Sequence, residues 1–242
     1  MRAVYPRRVN EACGITFDFG MTLAELDTGF LVQRLGERGA AVEHAAIEAA
    51  VPGAWRAYDD AVRRGVSGHP WKLLMRTMLG GAGLVDGQVA SLVDWLWDEQ
   101  PRQNLWRRPI PRMIELVDEL RAAGVRVAVV SNSEGKLAEL IAEMGWADRF
   151  VCVADSGVLG IEKPARGIFA WAAERLELPL ERLVHIGDSR AADVAGALAA
   201  GMRAVWFGGA ASASAEQLPE RARAAGDEPA LRRVLREWGF PI

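Results

Sequence analysis

Gly14-Ile15-Thr16-Phe17-Asp18-Phe19-Gly20-Met21-Thr22-Leu23 carries a short apolar run into a carboxylate and then into a turn-prone stretch. Runs of this length that stop at polar and glycine residues read as buried strands. Two later runs stop in the same manner. Val125 to Val130 ends at Ser131-Asn132, and Leu183 to Ile186 ends at Gly187-Asp188-Ser189, with Asp193 beyond. Lys163-Pro164 lies between them. In an open parallel sheet, ligands bind beyond the carboxyl ends of the strands, so Asp18, Ser131 and Asp188 are expected to converge on one edge.

Around these runs the second half of the chain alternates strands with amphipathic segments. The spacing predicts helices over Ile114 to Ala123, Leu137 to Met144, Ile168 to Leu176 and Ala191 to Ala200, and strands over Phe150 to Ala154 and Ala204 to Phe207. Pro111 suits the first turn of the helix that Gly124 stops. Pro229 to Trp238 reads as a closing amphipathic helix. Apolar strands separated by such helices predict an α/β fold, a Rossmann-like parallel sheet covered on both faces.

Nearly a hundred residues separate the first strand from the next strand of the sheet, and that stretch reads as helical: Phe30 to Leu35, Val42 to Val62, Leu73 to Leu79 and Val89 to Leu96. Breaks are expected at Gly65 to Pro70 and at Gly80 to Gly83, and Pro52 is expected to bend or divide the longest segment. The economical organisation is an α/β core domain of residues 1–26 and 107–242 with an all-α domain of residues 27–106 inserted after its first strand.

The chain has 242 residues, half of them apolar and a quarter charged, with a net charge of −3. This balance gives no electrostatic reason to expect nucleic acid or an anionic membrane as partner. The pairs Arg7-Arg8, Arg63-Arg64 and Arg107-Arg108 read as solvated helix ends. Cys13 and Cys152 are too few for a disulfide framework and read as buried free thiols. No run approaches a membrane span, and Met1 to Glu11 lacks the apolar region of a signal peptide, so a cytoplasmic setting is expected. The sequence leaves the oligomeric state open.

The four segments Asp18-Phe19-Gly20-Met21-Thr22, Ser131-Asn132, Lys163-Pro164 and Gly187-Asp188-Ser189-Arg190-Ala191-Ala192-Asp193 together resemble those of the haloacid dehalogenase (HAD) superfamily of hydrolases with a helical cap after the first strand. The likeness covers the core, and the cap matches only as a helical insertion of suitable length. The resemblance implies that Asp18 is a nucleophile forming an aspartyl-phosphate, that Ser131 and the Asn132 backbone N–H hold a phosphoryl oxygen, and that Lys163 neutralises the transferring group. It implies Mg²⁺ on Asp18, the Gly20 carbonyl and Asp188, with Asp193 orienting Lys163 or a metal-bound water and Thr22 supporting the loop. The implied substrate is a small phosphorylated metabolite.

One position departs from that pattern. Phosphatases of the family place a second Asp, their general acid and base, where this chain has Gly20. Loss of such a group costs on the order of 10²–10⁴ in rate. Three readings stay open at this point: a phosphatase restricted in substrate, another HAD chemistry, or a weak relative with a binding role. A dehalogenase needs no proton at that position but also needs neither Asp188 nor Asp193. A phosphonatase would use a cap lysine, and Lys72 is the only lysine there. Glu25 and Asp27 are the nearest substitute proton donors, although solvated carboxylates at the domain junction are the simpler expectation.

The remaining features point to no chemistry. Asp18-Phe19-Gly20 matches a kinase signature without its companion motifs. His185 reads as a core or sheet-edge histidine, and His44 and His69 lack partners at metal-ligand spacing. Of the nine tryptophans, Trp55, Trp71, Trp95, Trp97 and Trp106 fall in or near the insertion and are expected to pack helices, with one or two able to line an apolar pocket.

Overall fold

A computed structural model describes residues 13–64, 70–208 and 218–242. Arg7-Arg8, the segment before Glu11, the side chain of Arg63, the break over 65–69 and His69 lie outside the described residues.

The three runs that end in polar residues form the middle of one sheet. β1 (Gly14–Phe17) is buried along its whole length. The chain then forms β2 (Ala24–Leu26) and returns through β3 (Trp106–Pro109), which pair as a separate two-stranded ribbon. β4 (Arg126–Ser131), β5 (Val153–Asp155), β6 (Leu183–Gly187), β7 (Arg203–Phe207) and β8 (Ala222–Ala225) join β1 in the order β5-β4-β1-β6-β7-β8, each pair parallel. Phe17 stands level with Val129 on one side and Ile186 on the other. The residues that follow, Asp18, Ser131 and Asp188, therefore emerge at the same edge. Strand order also diverges at β1, which makes this edge a topological switch point.

The contacting faces follow helical periodicity. In α5 (Met113–Ala122), Met113, Leu116, Val117 and Leu120 are buried at i, i+3, i+4 and i+7. Residues of α8 (Arg166–Arg175), among them Ile168, Phe169 and Ala172, pack with Ala128, Val130 and Leu183 of the sheet. Burying such aliphatic and aromatic side chains contributes about 1.5–3 kcal/mol each. The last helix, α10 (Glu228–Glu237), begins at Asp227, whose carboxylate accepts from the Ala230 N–H at 2.8 Å.

Leu26–Trp106 forms a compact unit separate from the remaining described residues. It contains α1 (Thr28–Gly36), α2 (His44–Arg63), α3 (Trp71–Gly81) and α4 (Asp86–Glu99). Its tryptophans are packing residues. Trp71 is buried with its ring 5.4 Å from that of Trp97, and the guanidinium groups of Arg34 and Arg38 both lie over Trp95. No helix among the described residues is long and apolar enough to cross a membrane.

Three local expectations are corrected. Pro52 does not divide the segment: α2 continues through it, with Ile47, Ala54 and Ala61 buried along its length to offset the cost of the missing N–H. Pro111 precedes α5 instead of opening it. Ile110 C=O accepts from the Met113 N–H at 3.2 Å, and Arg112 takes φ 64°, as in a type II turn with Pro in second place. The helix expected from Ala191 begins as a π-helical turn over Arg190–Ala195, and α9 (Gly196–Ala200) follows it. β8, of sequence Ala-Arg-Ala-Ala, had no strand signal at all.

Candidate functional site

Asp18 remains in the sheet ladder, its N–H donating to Ile186 C=O at 2.8 Å. The chain then wraps tightly. Phe19 C=O accepts from the Leu23 and Ala24 N–H groups, and Met21 sits in the left-handed region at φ 54°. A non-glycine residue there carries a conformational cost, which marks the turn as constrained. Thr22 is fully buried in this turn, and its hydroxyl has no hydrogen-bond partner within the described protein.

Lys163 approaches from the loop before α8. Its Nζ lies 2.7 Å from Asp18 Oδ1 and also donates to Asp193 Oδ1. The Lys163 backbone is gripped by the Asn132 side chain, whose Oδ1 accepts the Lys163 N–H at 2.8 Å while its Nδ2 donates to the Lys163 C=O at 3.0 Å. The sequence reading gave Asn132 only a backbone role. Its amide side chain ties the loop after β4 to the loop carrying the lysine. Ser131 is buried at the end of β4, and its hydroxyl helps to hold the Asp18 carboxyl down.

Asp193 is held from three sides. Oδ1 accepts from Lys163 and lies 2.9 Å from His185 Nε2, while Oδ2 accepts from the Ser189 N–H at 2.8 Å. The π-helical turn makes this possible. The Asp193 and Val194 N–H groups both donate to Ser189 C=O, which turns the Asp193 side chain back toward Ser189. Gly187 is required beside it, because a Cβ there would lie 2.2 Å from Asp193 Cγ. Asp188 is part-buried, and its backbone C=O accepts from Trp206 Nε1 at 2.8 Å.

These groups set one another's charge. Burial raises the Asp18 carboxyl above the usual carboxylate range; Lys163 opposes this and the Asp193 charge adds to it. Burial also pushes Asp188 well above that range, with the charges of Asp18 and Asp193 adding. Burial acts on Asp193 in the same direction, but Lys163 and His185 outweigh it and hold Asp193 well below. Burial would lower Lys163, yet its two carboxylate partners keep it above the usual lysine range. Three carboxylates thus face one ammonium.

Asp18, Asp188 and Asp193 each offer an oxygen within 4.8 Å of the others, an oxygen-only set able to hold a hard cation. Both oxygens of Asp193 are already engaged, so Asp18 and Asp188 have the greater capacity. That burial and the neighbouring carboxylates push the Asp188 carboxyl upward fits a site short of positive charge.

Other candidates are engaged elsewhere. Glu25 pairs with Arg108 Nε at 3.0 Å, and Asp27 caps α1 by accepting from the Phe30 N–H at 2.8 Å. Lys72 pairs with Asp94 at 2.7 Å on an exposed surface, and His44 lies against Thr28 at 2.9 Å. His185, read from sequence as a core or sheet-edge residue, is fully buried and reaches the site through Asp193.

A family model described as haloacid dehalogenase-like hydrolase matches residues 14–201. The haloacid dehalogenase-like hydrolase domain-containing protein 3 of Xenopus laevis is 27% identical over 198 residues, covering 78% of this chain and 81% of that protein. The glyceraldehyde 3-phosphate phosphatase of Methanopyrus kandleri is 32% identical over 151 residues, covering 61% of this chain and 63% of its own length. A HAD-hydrolase from Bacillus subtilis, in a structure bound to magnesium, superposes with a TM-score of 0.61 over 93% of this chain and 100% of that one; at 18% identity this likeness bears on the fold. The match over residues 14–201, on a sheet whose motif residues meet at one edge, makes the chain a member of the haloacid dehalogenase-like hydrolase family.

Proposed function

We propose that the chain is a Mg²⁺-dependent phosphatase of small phosphorylated metabolites in which Asp18 is the nucleophile and the helical unit Leu26–Trp106 is the cap that selects substrate. The observation that carries this reading is the 2.7 Å contact between Lys163 Nζ and Asp18 Oδ1, both buried at the carboxyl end of the central strand. The phosphatase named among its relatives, similar over three-fifths of this chain, supports the substrate class.

In this reading an Asp18 oxygen bonds to phosphorus as the bond to the leaving oxygen breaks. Water then attacks the aspartyl-phosphate, releasing inorganic phosphate and restoring Asp18. Lys163 places positive charge against the transferring group, and Ser131 with the Asn132 N–H holds one of its oxygens. Asp193 keeps Lys163 in position, and Thr22 braces the turn. Mg²⁺, held by Asp18, Asp188 and the Gly20 carbonyl, would neutralise further phosphoryl charge.

Gly20 has no proton to give, and the carboxylates of Glu25 and Asp27 are committed to Arg108 and to the α1 cap. The favoured substrates are therefore those whose leaving group is stable as an anion, acyl and aryl phosphates. The commitment of Lys72 to Asp94 weighs against a Schiff-base chemistry, and the retained acids Asp188 and Asp193 weigh against a metal-free dehalogenase. The test is phosphate release from acetyl phosphate and p-nitrophenyl phosphate with Mg²⁺, for the native chain and Asp18→Asn. Release that needs both Mg²⁺ and Asp18 supports the reading. Metal-independent halide release from a 2-haloacid, with no phosphate release, would replace it.

A further inference from the structure

A buried polar line runs beneath the site. Thr16 and His185 stand directly opposite each other in the β1–β6 register, and Thr16 Oγ1 lies 2.8 Å from His185 Nδ1. His185 Nε2 lies 2.9 Å from Asp193 Oδ1, which also accepts from Lys163. Thr16, His185, Asp193 and Lys163 are all buried, His185 completely, and the ring of Phe169 packs edge-on against the imidazole at 5.1 Å.

Partner chemistry assigns the hydrogens. A carboxylate can only accept, so Nε2 carries the N–H toward Asp193. In the neutral ring Nδ1 is an acceptor, and the Thr16 hydroxyl donates to it. With this tautomer every polar atom of the line is satisfied, as a buried network requires. An aliphatic pair would fill the same core space at less risk. The polar pair also shares out the Asp193 oxygens: one N–H from His185 and one from the Ser189 backbone fix the plane of the carboxylate, and Lys163 bridges from it to Asp18.

We propose that Thr16 and His185 are positioning residues: through Asp193 they hold the Lys163 ammonium against Asp18, where a phosphoryl group would be received. Without the His185 N–H, Asp193 keeps only the Ser189 N–H and Lys163 as partners, so more of its charge falls on Lys163 and draws the ammonium away from Asp18. The effect on turnover rests on the phosphatase reading; the placement of Lys163 does not.

Three variants and two readouts test this. Thr16→Val keeps shape but removes the donor that fixes the tautomer. His185→Phe keeps a ring but removes the bond to Asp193, and His185→Gln restores an N–H donor. Losing a hydrogen bond to a charged group predicts a fall in kcat of about 10-fold or more in His185→Phe and a smaller fall in Thr16→Val, with KM held within about twofold and His185→Gln recovering most of the loss. The second readout is the ¹⁵N–¹H signal of the Lys163 ammonium, which needs no substrate and is expected to shift in Thr16→Val and His185→Phe but not in His185→Gln. Thr16→Val keeps the test valid if His185→Phe does not fold. Folded variants with lowered melting temperature but unchanged kcat and an unmoved ammonium signal would overturn the proposal. If the native chain turns over no phosphate ester, a shifted ammonium signal still supports the positioning claim while the phosphatase reading fails.

Discussion

Lys163 and Asp18 are 145 residues apart in the chain, and Lys163 Nζ lies 2.7 Å from Asp18 Oδ1. Lys163 also bonds Asp193, so a single ammonium compensates two buried carboxylates, with Asp188 close by.

The two ends of that contact are unequal in stability. Lys163→Met leaves two buried carboxylates without their cation and is expected to cost about 3–5 kcal/mol. Asp18→Asn leaves Lys163 paired with Asp193 and is expected to change stability by no more than about 1 kcal/mol. Urea unfolding in EDTA measures both. Equal losses would show that Lys163 is not the keystone of the charge cluster.

Gly187 is a steric requirement of Asp193. A methyl group would lie 2.2 Å from Asp193 Cγ and 2.4 Å from its Oδ2, so Gly187→Ala must displace the carboxylate that holds Lys163. The expected cost is about 1–3 kcal/mol or more, as for overpacked cores, together with a loss of turnover. Native stability and activity in the variant would contradict the close approach of β6 to Asp193.

On the proposed phosphatase reading, Gly20 is expected to govern the choice of leaving group. It is not among the residues with positive φ, so Gly20→Asp meets no backbone obstacle of that kind. The native chain is expected to lose rate steeply as leaving-group pKa rises across a series of aryl and alkyl phosphates. Gly20→Asp is expected to flatten the slope and to raise alkyl phosphate turnover by about 10²-fold or more. A flat slope in the native chain would mean that another group supplies the proton.

Cys152 tests the burial of the sheet's outer edge. Burial pushes its thiol up to about 11, against the opposing charge of Arg175. Because the thiolate is the reactive form, alkylation by iodoacetamide at pH 8 is expected to be about two orders of magnitude slower than for free cysteine, rising as pH climbs toward 11. A rate matching free cysteine would show that the edge is open.

Much of this architecture was legible because the central strands are nearly continuous in apolar residues and each stops at the residue it delivers. Gly14–Phe17, Arg126–Ser131 and Leu183–Gly187 show a pattern that short, fully buried parallel strands impose. β8 was not legible, since an edge strand of alanine and arginine buries too little to leave an apolar signature. The π-helical turn was hidden for another reason: it accompanies the contact of the Asp193 side chain with Lys163, a tertiary contact that helical periodicity cannot register. The contacts of the Asn132 side chain, and that of His185 with Thr16, were missed in the same way. Their partners, the Lys163 backbone and Thr16, are distant in sequence, and no local spacing links them.

The most direct measurement is the identity of the residue that becomes phosphorylated. After rapid acid quench of the protein with Mg²⁺ and ³²P-labelled acetyl phosphate, label is expected on the peptide containing Asp18, sensitive to hydroxylamine as an acyl phosphate is, and absent from Asp18→Asn. Turnover of acetyl phosphate with no label on that peptide, or undiminished turnover by Asp18→Asn, would contradict the account.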